Sequence, residues 1–350
     1  MKAAVWHGHK DVRIQDIPEP GTKKGFVKIK VDYAGICGTD RNEYSGPVFI
    51  PVSKPHRLTG RVAPLILGHE FSGTIAELGS GVTGWNVGDR VTGNGTICCK
   101  TCFACRSGYY NVCERLGFVG VGEDGAFAEY VLFDAERLFR IPQNVTQKQA
   151  VLAEPMACGI HATRLIGSIK DKYVVVIGPG IIGLSCFFAA KQAGAHVLVV
   201  GLGEERRELV QRYGGNYVDT TKQPIVDYVR EWSKGKMADA AYECVGIQPA
   251  LDDALKVLAP RATLMVMGVF EKPPVFDMNT LQECERIIRT SQAHTNEIAS
   301  ALSRMANGEI IAEELISSEI TLDGLVKDGF EELLCNPVKH IKIVIKIQEE

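Results

Sequence analysis

At 350 residues the chain is too long for one ordinary hydrophobic core, and two domains are the default expectation. Its 45% hydrophobic and 23% charged residues are typical of a soluble globular protein rather than a disordered or fibrous one. The formal net charge is −3, with acidic and basic residues interspersed, which argues against nucleic acids and anionic membrane surfaces as partners.

The N-terminus, "MKAAVWHGHKDVRIQD", becomes polar after a few residues and lacks the apolar core of a signal peptide. No apolar run approaches the ~18 residues that a membrane span needs. We therefore expect a cytoplasmic protein whose eleven cysteines stay reduced. In that setting, closely spaced cysteines indicate metal binding rather than disulfides.

The predicted elements change in kind near residue 150. Before it, alternating runs such as "FVKIKVDYAG" and "AFAEYVLF" predict β-strands between Gly, Pro and Asp turns. After it, "AVLAEPMACGIHATRLIG" predicts a helix, and strands then alternate with helices to about residue 295. This alternation predicts an α/β domain with a parallel, doubly wound sheet. The tail, "HIKIVIKI", predicts a strand that returns to the first domain.

The stretch "YVVVIGPGIIG" predicts a dinucleotide-binding turn. Gly178, Gly180 and Gly183 follow a predicted strand and open a helix, whose N–H groups favour phosphates. The first glycine allows a tight turn, the second lets backbone approach a pyrophosphate, and the third lets helix pack on strand. Ile181 and Ile182 complete the motif. A glycine-rich turn without a ligand is the alternative.

The end of the second strand of this domain bears on the choice between NAD and NADP. An NAD site usually has Asp or Glu there for the ribose 2′-hydroxyl, but this chain has Gly201. Without that carboxylate a 2′-phosphate is not repelled, and Arg206 or Arg207 could bind it. The pattern therefore favours NADP over NAD. The alternative is that both arginines belong to a solvated helix face.

Five cysteines lie within "CCKTCFACRSGYYNVC". Cys99, Cys102, Cys105 and Cys113 give a C-x2-C-x2-C-x7-C spacing, and four such thiolates can enclose one tetrahedral zinc without an open position. The spacing predicts a structural zinc site, and Cys98 has no assigned role. A C-x-x-C redox pair is the rival interpretation.

A second, dispersed set consists of Cys37 in "GICGTD", His69 and Glu70 in "LGHEFSG", and Glu154 in "AEPMAC". Taken singly, each has an ordinary structural explanation as a core cysteine, a turn histidine or a helix-start carboxylate. Together, thiolate, imidazole and carboxylate are the donors of an open, catalytic zinc site.

The chain resembles the zinc-dependent medium-chain dehydrogenases of the alcohol and polyol dehydrogenase superfamily. The resemblance covers essentially the whole chain and rests on "GHEFSGTIAELGSGV", "CGTD", "VGDRV", "IGPGIIG" and the four-cysteine lobe. It implies a GroES-like catalytic domain at residues 1–151 and 296–350, with the zinc lobe at about 93–114. It also implies a Rossmann cofactor domain at 152–295, an active site in the cleft between the two, and a homodimer or homotetramer.

Three further stretches are most similar to the (R,R)-butanediol dehydrogenase branch, with sorbitol and threonine dehydrogenases next. They are "EYSGPVFIPVSKPHRLTGRVAPLILGHEFSG", "LGFVGVGEDGAFAEY" and "DGFEELL". Threonine or sugar (glucose) dehydrogenase activity on the same scaffold remains an alternative. A non-catalytic nucleotide-binding relative is another, but such relatives typically lose the catalytic ligands, and here all are present.

The resemblance also implies residue roles. Cys37 and His69 match zinc ligands, and Glu70 matches a ligand of polyol dehydrogenases that other relatives keep only beside the metal. Glu154 stands where simple alcohol dehydrogenases have a second cysteine, and its harder oxygen donor favours a secondary alcohol or vicinal diol. Thr39 matches the residue that accepts the hydroxyl proton.

The implied reaction moves a hydride between a secondary alcohol (a vicinal diol or polyol, butanediol-like) and NAD(P)+, with zinc as the Lewis acid. The chain departs from the family at Asn42, where relatives commonly have a histidine that passes the proton outward. Asparagine does not titrate near neutral pH, so water, Glu43 or His56 are the alternatives.

Overall fold

The computed structural model describes residues 1–348 and contains two compact units. One unit comprises Met1–Glu154 together with the residues from Ile298 onward, and the other comprises Pro155–Glu297. None of the helices in residues 1–348 combines the length and apolarity that crossing a bilayer requires.

The strands, in chain order, are β1 (Lys2–Gly8), β2 (Asp11–Asp16), β3 (Phe26–Gly35), β4 (Leu65–Ile66), β5 (Glu70–Leu78), β6 (Arg90–Gly93), β7 (Thr96–Ile97), β8 (Gly117–Phe118), β9 (Tyr130–Asp134), β10 (Leu138–Arg140), β11 (Tyr173–Ile177), β12 (His196–Val200), β13 (Asn216–Val218), β14 (Ala238–Glu243), β15 (Leu258–Val266), β16 (Ile287–Thr290), β17 (Ser318–Thr321) and β18 (Ile343–Lys346). The α-helices are α1 (Gly38–Ser45), α2 (Phe103–Arg106), α3 (Gln147–Ala150), α4 (Ala153–Ile166), α5 (Ile181–Gln192), α6 (Glu204–Arg212), α7 (Ile225–Trp232), α8 (Gln248–Lys256), α9 (Met278–Glu283), α10 (Glu297–Ala306) and α11 (Glu332–Cys335). Short 3₁₀ turns occur at Tyr110–Val112, Ala135–Arg137 and Ala312–Leu315, and a π-helical turn at Leu325–Glu331.

The first unit is built on a β-sheet in which β10, β6, β5, β3, β18 and β17 lie side by side, with β9 also paired to β3. Every second residue of β3 from Val27 to Val31 is buried, which is the period expected of a strand with one face on a core. The C-terminal strand β18 runs antiparallel to β3, pairing Val344 with Gly35. Two smaller sheets, β2-β1-β4 and β7-β8, complete the unit.

The second unit contains a six-stranded, fully parallel sheet in the order β13-β12-β11-β14-β15-β16. Its inner strands are almost continuously apolar and buried, because helices cover both faces of such a sheet. The order reverses between β11 and β14, and ligands of this architecture bind at the carboxyl ends of the strands at that point. The predicted doubly wound α/β sheet is therefore confirmed.

Candidate active site and cofactor site

Cys37 immediately precedes α1 and caps it. Its backbone is extended (φ −86°, ψ 157°), and its N–H donates to the Asp40 carboxylate over 2.9 Å. Asp40 is fully buried. Because this contact fixes the backbone of Cys37, it also fixes the direction of the Cα–Cβ bond that carries the thiol.

His69 and Glu70 lie where β5 begins, and the sheet register brings them to Cys37. Glu70 pairs with Gly35 at the end of β3, two residues before the cysteine. A Cβ at Gly35 would overlap the Glu70 carboxylate, so only glycine leaves room for it. One donor atom from each of Cys37, His69 and Glu70 lies within 4.8 Å of the other two.

Glu154 stands apart from this three-residue group. It lies in the first turn of α4 and is 9% exposed. Its carboxylate is not among the donor atoms that come within 4.8 Å of one another, although its charge acts on both His69 and Glu70. The structure therefore brings together three of the four proposed catalytic ligands and places the fourth nearby.

The electrostatics of the group favour a bound cation. Burial raises the pKa of the Asp40 carboxyl, and its Oδ1 and the Nδ1 of His69 lie 3.8 Å apart without hydrogen-bond partners. Burial alone would lower the pKa of His69, but the charges of Cys37, Asp40 and Glu154 outweigh it and raise that pKa well above its usual value. Sulfur, nitrogen and oxygen donors in an anionic pocket fit zinc.

Two residues of this region were missed by the sequence reasoning. The carboxylate of Asp40 accepts the N–H of Cys37 and faces His69. An acidic residue three positions after the first residue of "CGTD" is typical of a capping box, so the sequence could have predicted this role. Lys342, next to β18, is fully buried and forms an ion pair with Glu70. No local sequence pattern predicts the burial of this lysine, because its partner Glu70 is far away in the sequence.

Thr39 and Asn42 lie on α1 three residues apart, which places them on one helix face. The two alternative relay groups are engaged elsewhere. The buried Glu43 carboxylate accepts the backbone N–H groups of Val48, Phe49 and Ile50 at 2.8–3.2 Å. His56 contacts the Leu116 carbonyl through Nε2 at 3.0 Å, while its Nδ1 accepts the N–H of Thr59 at 3.2 Å, an arrangement that puts its proton on Nε2. Both side chains therefore hold loops in place.

The four clustered cysteines form a separate site around α2. Donor sulfurs of Cys99, Cys102, Cys105 and Cys113 lie within 4.8 Å of one another, and Cys98 is not in this group. The Cys99–Cys105 and Cys102–Cys113 Sγ pairs are 3.9 Å apart. That separation excludes a disulfide and matches the roughly 3.8 Å edge of a tetrahedron with Zn–S bonds of about 2.3 Å.

Backbone N–H groups point at the sulfurs of this lobe. Cys113 Sγ accepts from the N–H of Cys99 and of Arg115 at 3.3 Å each, and these hydrogen bonds oppose the burial that raises the pKa of this thiol. Hydrogen bonds from Thr101 and from the N–H of Cys102 lower the pKa of Cys99 to about 4. Thiolates that are stabilised in this way are the form that binds zinc.

In the second unit, the glycine motif has the geometry that a dinucleotide needs. Gly178 has a φ of +97°, a value that glycine adopts without strain. A Cβ at Gly183 would overlap the carbonyl oxygen of Gly178, so glycine at this position is what allows α5 to approach the turn closely. A Cβ at Gly180, by contrast, would meet nothing within 4 Å. This open space at the start of α5, beside Ile181 and Ile182, fits a pyrophosphate.

The two candidate arginines that follow β12 differ in how accessible their side chains are. Gly201 lies against the ring of Pro179, and a Cβ there would overlap that ring. Arg206 is 7% exposed, whereas Arg207 is more accessible and lies 3.5 Å from Glu204. Of the two, Arg207 is the one that a ligand could reach.

Several exposed apolar residues follow the carboxyl ends of the central strands and were not predicted as site residues. They are 40–56% exposed and comprise Leu202 after β12, Val245 and Ile247 after β14, and Val269 after β15. Their position at the ligand-binding end of the sheet suits the apolar face of a nucleotide base.

Comparison with known proteins matches both units. Residues 23–143 match the model of the alcohol dehydrogenase GroES-like domain, and residues 182–307 match that of zinc-binding dehydrogenases. The (R,R)-butanediol dehydrogenase of Bacillus subtilis is 37% identical over 352 residues, which cover 99% of each chain. A sorbitol dehydrogenase of Halalkalibacterium halodurans is 37% identical over 330 residues, covering 92% of this chain and 93% of the other.

Solved structures agree. The crystal structure of 2R,3R-butanediol dehydrogenase from Bacillus subtilis has a TM-score of 0.92 at 36% identity, and each chain is 99% covered. A zinc-binding dehydrogenase from Sinorhizobium meliloti, solved with NADP, has a TM-score of 0.88 at 26% identity, covering 99% of this chain and 98% of that one. The predicted resemblance, the two-domain fold class and the Zn²⁺ and NAD(P) cofactors are thereby confirmed. The chain belongs to the zinc-dependent medium-chain dehydrogenases, in the branch of the butanediol and sorbitol dehydrogenases, and is an oxidoreductase that acts on alcohols.

Proposed function

We propose that the enzyme oxidises a secondary alcohol, a vicinal diol or polyol such as a butanediol, to the ketone with NAD(P)+ as the acceptor. The observation that carries this proposal is the group formed by the partly exposed Cys37 with the buried His69 and Glu70, with Glu154 nearby. Two carboxylates in place of further thiolates make the donor set harder, and a harder site suits a substrate rich in hydroxyls.

The catalytic zinc site is proposed to consist of Cys37 and His69 with a carboxylate from Glu70 or Glu154. A zinc ion there would act as a Lewis acid that lowers the pKa of an alcohol hydroxyl. The Lys342 ion pair competes for the Glu70 carboxylate, and this supports Glu154 as the carboxylate that approaches the metal. Asp40 would hold His69 from its other side and fix the orientation of the ring.

Thr39 is proposed to accept the hydroxyl proton of the substrate. It lies in the first turn of α1, two residues after Cys37, and is partly buried. A hydroxyl can accept one proton while it donates its own, so Thr39 can pass a proton on without changing charge. Asn42 lacks this ability, and the onward path is therefore proposed to run through water.

A second, structural zinc is proposed for Cys99, Cys102, Cys105 and Cys113. The four sulfurs would fill its coordination sphere and leave no position for a substrate. The proposed role is to hold the loop between β7 and β8 together.

The cofactor is proposed to bind at Gly178, Gly180, Ile181, Ile182, Gly183 and Gly201, with NADP favoured over NAD. The absence of a carboxylate at Gly201 and the accessible Arg207 support this preference. Measuring kcat/KM with NADPH and with NADH tests the proposed NADP preference, and a strong preference for NADH would contradict it.

The catalytic domain is proposed to comprise residues 1–151 and 296–350, and the cofactor domain residues 152–295. A homodimer or homotetramer in the cytoplasm is also proposed. The edge strand β16 supports self-association, since Ile287 and Ile288 are 45% and 37% exposed there. Light scattering on the purified protein gives the oligomeric state directly.

A panel of substrates tests the proposed activity. Diols, polyols, sugars and threonine are each assayed with NAD+ and with NADP+. Fastest turnover of a vicinal diol supports the proposal, and fastest turnover of threonine or glucose favours the alternative activities. No turnover of any alcohol by zinc-loaded protein would support a non-catalytic role.

A further inference from the structure

Arg41 lies in the middle of α1, between Asp40, whose carboxylate accepts the N–H of Cys37, and Asn42. Its Nε and Nη2 groups donate to the Oδ1 of Asn42 over 3.3 and 2.9 Å. A guanidinium group has only donors, so the oxygen of the Asn42 amide must face it. The amide nitrogen of Asn42 therefore points away from Arg41 as a donor.

The charge of Arg41 is not neutralised within the described chain. No carboxylate of residues 1–348 forms an ion pair with it, although the side chain is partly buried. The two acidic neighbours on its own helix are committed elsewhere. Asp40 binds the N–H of Cys37, and Glu43 binds three backbone N–H groups of the following loop.

This arrangement leaves a set of donors without an acceptor. The remaining N–H groups of Arg41 and the amide nitrogen of Asn42 have no partner among the described residues. Asn42 shares a helix face with Thr39, because the two are three residues apart. A cation with an adjacent amide donor is the chemistry that binds carboxylate or phosphate oxygens.

We propose that Arg41 and Asn42 form a binding site for an anionic oxygen, one helical turn beyond Thr39. The proposal rests on the alcohol dehydrogenase activity proposed above, because that activity places the reacting hydroxyl of the substrate beside Thr39. Two sources can supply such an oxygen: a phosphate of the dinucleotide, or a carboxylate or phosphate carried by the polyol substrate.

The first arm of the test measures nucleotide binding without turnover. Dissociation constants for NAD+ and NADP+ are determined by calorimetry on the zinc-loaded wild type and on the variants Arg41→Met and Arg41→Gln. If the nucleotide supplies the anion, both variants bind it roughly tenfold more weakly or worse, because a charge-assisted hydrogen bond is lost.

The second arm compares two substrates that differ in one charge. Neutral butanediol and dihydroxybutanoate, which carries a carboxylate in place of one methyl group, are assayed with the same enzymes. If the substrate supplies the anion, both variants raise KM for the dihydroxybutanoate by roughly tenfold while kcat/KM for butanediol changes little.

Arg13→Met is the matched control for loss of one positive charge, since Arg13 is exposed and, within residues 1–348, forms its ion pair with Asp11 alone. It should change neither arm. The proposal is overturned if both Arg41 variants stay within about twofold of the wild type in both arms. That result leaves the dehydrogenase activity intact, whereas a wild type that oxidises no alcohol contradicts the proposed function and leaves the nucleotide arm readable.

Discussion

Lys342 and Glu70 form an ion pair in which each side chain is only 1% exposed. Burial alone would lower the pKa of Lys342, but the Glu70 carboxylate, with Cys37 and Glu154, outweighs it and raises that pKa. The ammonium group also donates to the Ile36 carbonyl over 2.9 Å. The pair thus places a positive charge directly behind the proposed catalytic ligands.

Lys342→Met should destabilise the metal-free protein more than the zinc-loaded protein. Loss of the lysine leaves Glu70 buried with an uncompensated charge, which costs about 3–5 kcal/mol. Bound zinc would offset part of that cost. Thermal unfolding with and without zinc measures the difference. Lys148→Met, which removes the more accessible ion pairs with Glu313 and Glu319, is the control, and equal losses of Tm in both metal states would contradict the prediction.

Thr39→Val should lower kcat while leaving the zinc content unchanged. The change keeps the shape of the side chain and removes the proposed proton acceptor, so kcat should fall by ~10²–10⁴-fold. Steady-state kinetics and metal analysis are the measurements. Thr39→Ser retains the hydroxyl and should restore most of the rate. An unchanged kcat in the valine variant would falsify the assigned role.

The sequence was most informative where a local pattern decides the structure. Period-two alternation marked β3, and the turn after "YVVVI" has the positive φ at Gly178 and the close approach at Gly183 that the motif predicts. The four cysteines also lie together as their spacing predicts. In each of these the interacting residues are neighbours in the chain.

Long-range features could not be predicted from local patterns. Lys342 meets Glu70 only because β18 pairs with β3. The position of Glu154 outside the closest donor group depends on where α4 begins relative to the sheet. The burial of Arg206, by contrast, could have been predicted from the local sequence. Leu209 lies three residues later on the same face of α6 and is also buried.

Two glycine variants should separate cofactor binding from folding. Gly180→Ala adds a Cβ to the open space at the start of α5, so the protein should fold normally and bind NAD(P)+ roughly tenfold more weakly or worse. Gly183→Ala overlaps the Gly178 carbonyl and should cost about 1–3 kcal/mol of stability. Calorimetry and thermal unfolding report the two effects. Full nucleotide affinity in Gly180→Ala would exclude the proposed pyrophosphate site at the start of α5.

The two cysteine sites should respond differently to serine substitution. The wild type should contain about two zinc ions per chain. Cys102→Ser should lose one zinc and unfold at a lower temperature, because a structural site contributes folding energy. Cys37→Ser should lose turnover while it remains folded. Cys98→Ser, outside both groups, is the control and should keep both metals. A stable, fully active Cys102→Ser enzyme would rule out a structural zinc.

Glu297 should make the stability of the second unit, Pro155–Glu297, depend on acid pH. Its carboxylate is 8% exposed and lies 3.1 Å from Nδ1 of His161 and 3.0 Å from Nε of Arg164. Burial alone would raise its pKa, but the hydrogen bond and charge of His161, with the N–H of Thr295, outweigh it and lower the pKa to about 2. An unfolded glutamate titrates near 4.5.

Because the folded pKa is the lower one, the stabilisation is complete above pH ~4.5 and is lost as the pH falls from there towards 2. The full effect is on the order of 3 kcal/mol. Denaturant unfolding between pH 6 and 3 should show stability falling below pH ~5, and Glu297→Gln should remove most of that fall and lower stability at neutral pH. Glu309→Gln, an exposed glutamate in the other unit, is the comparison. A Glu297→Gln variant with an unchanged acid slope would mean that other carboxylates govern acid unfolding.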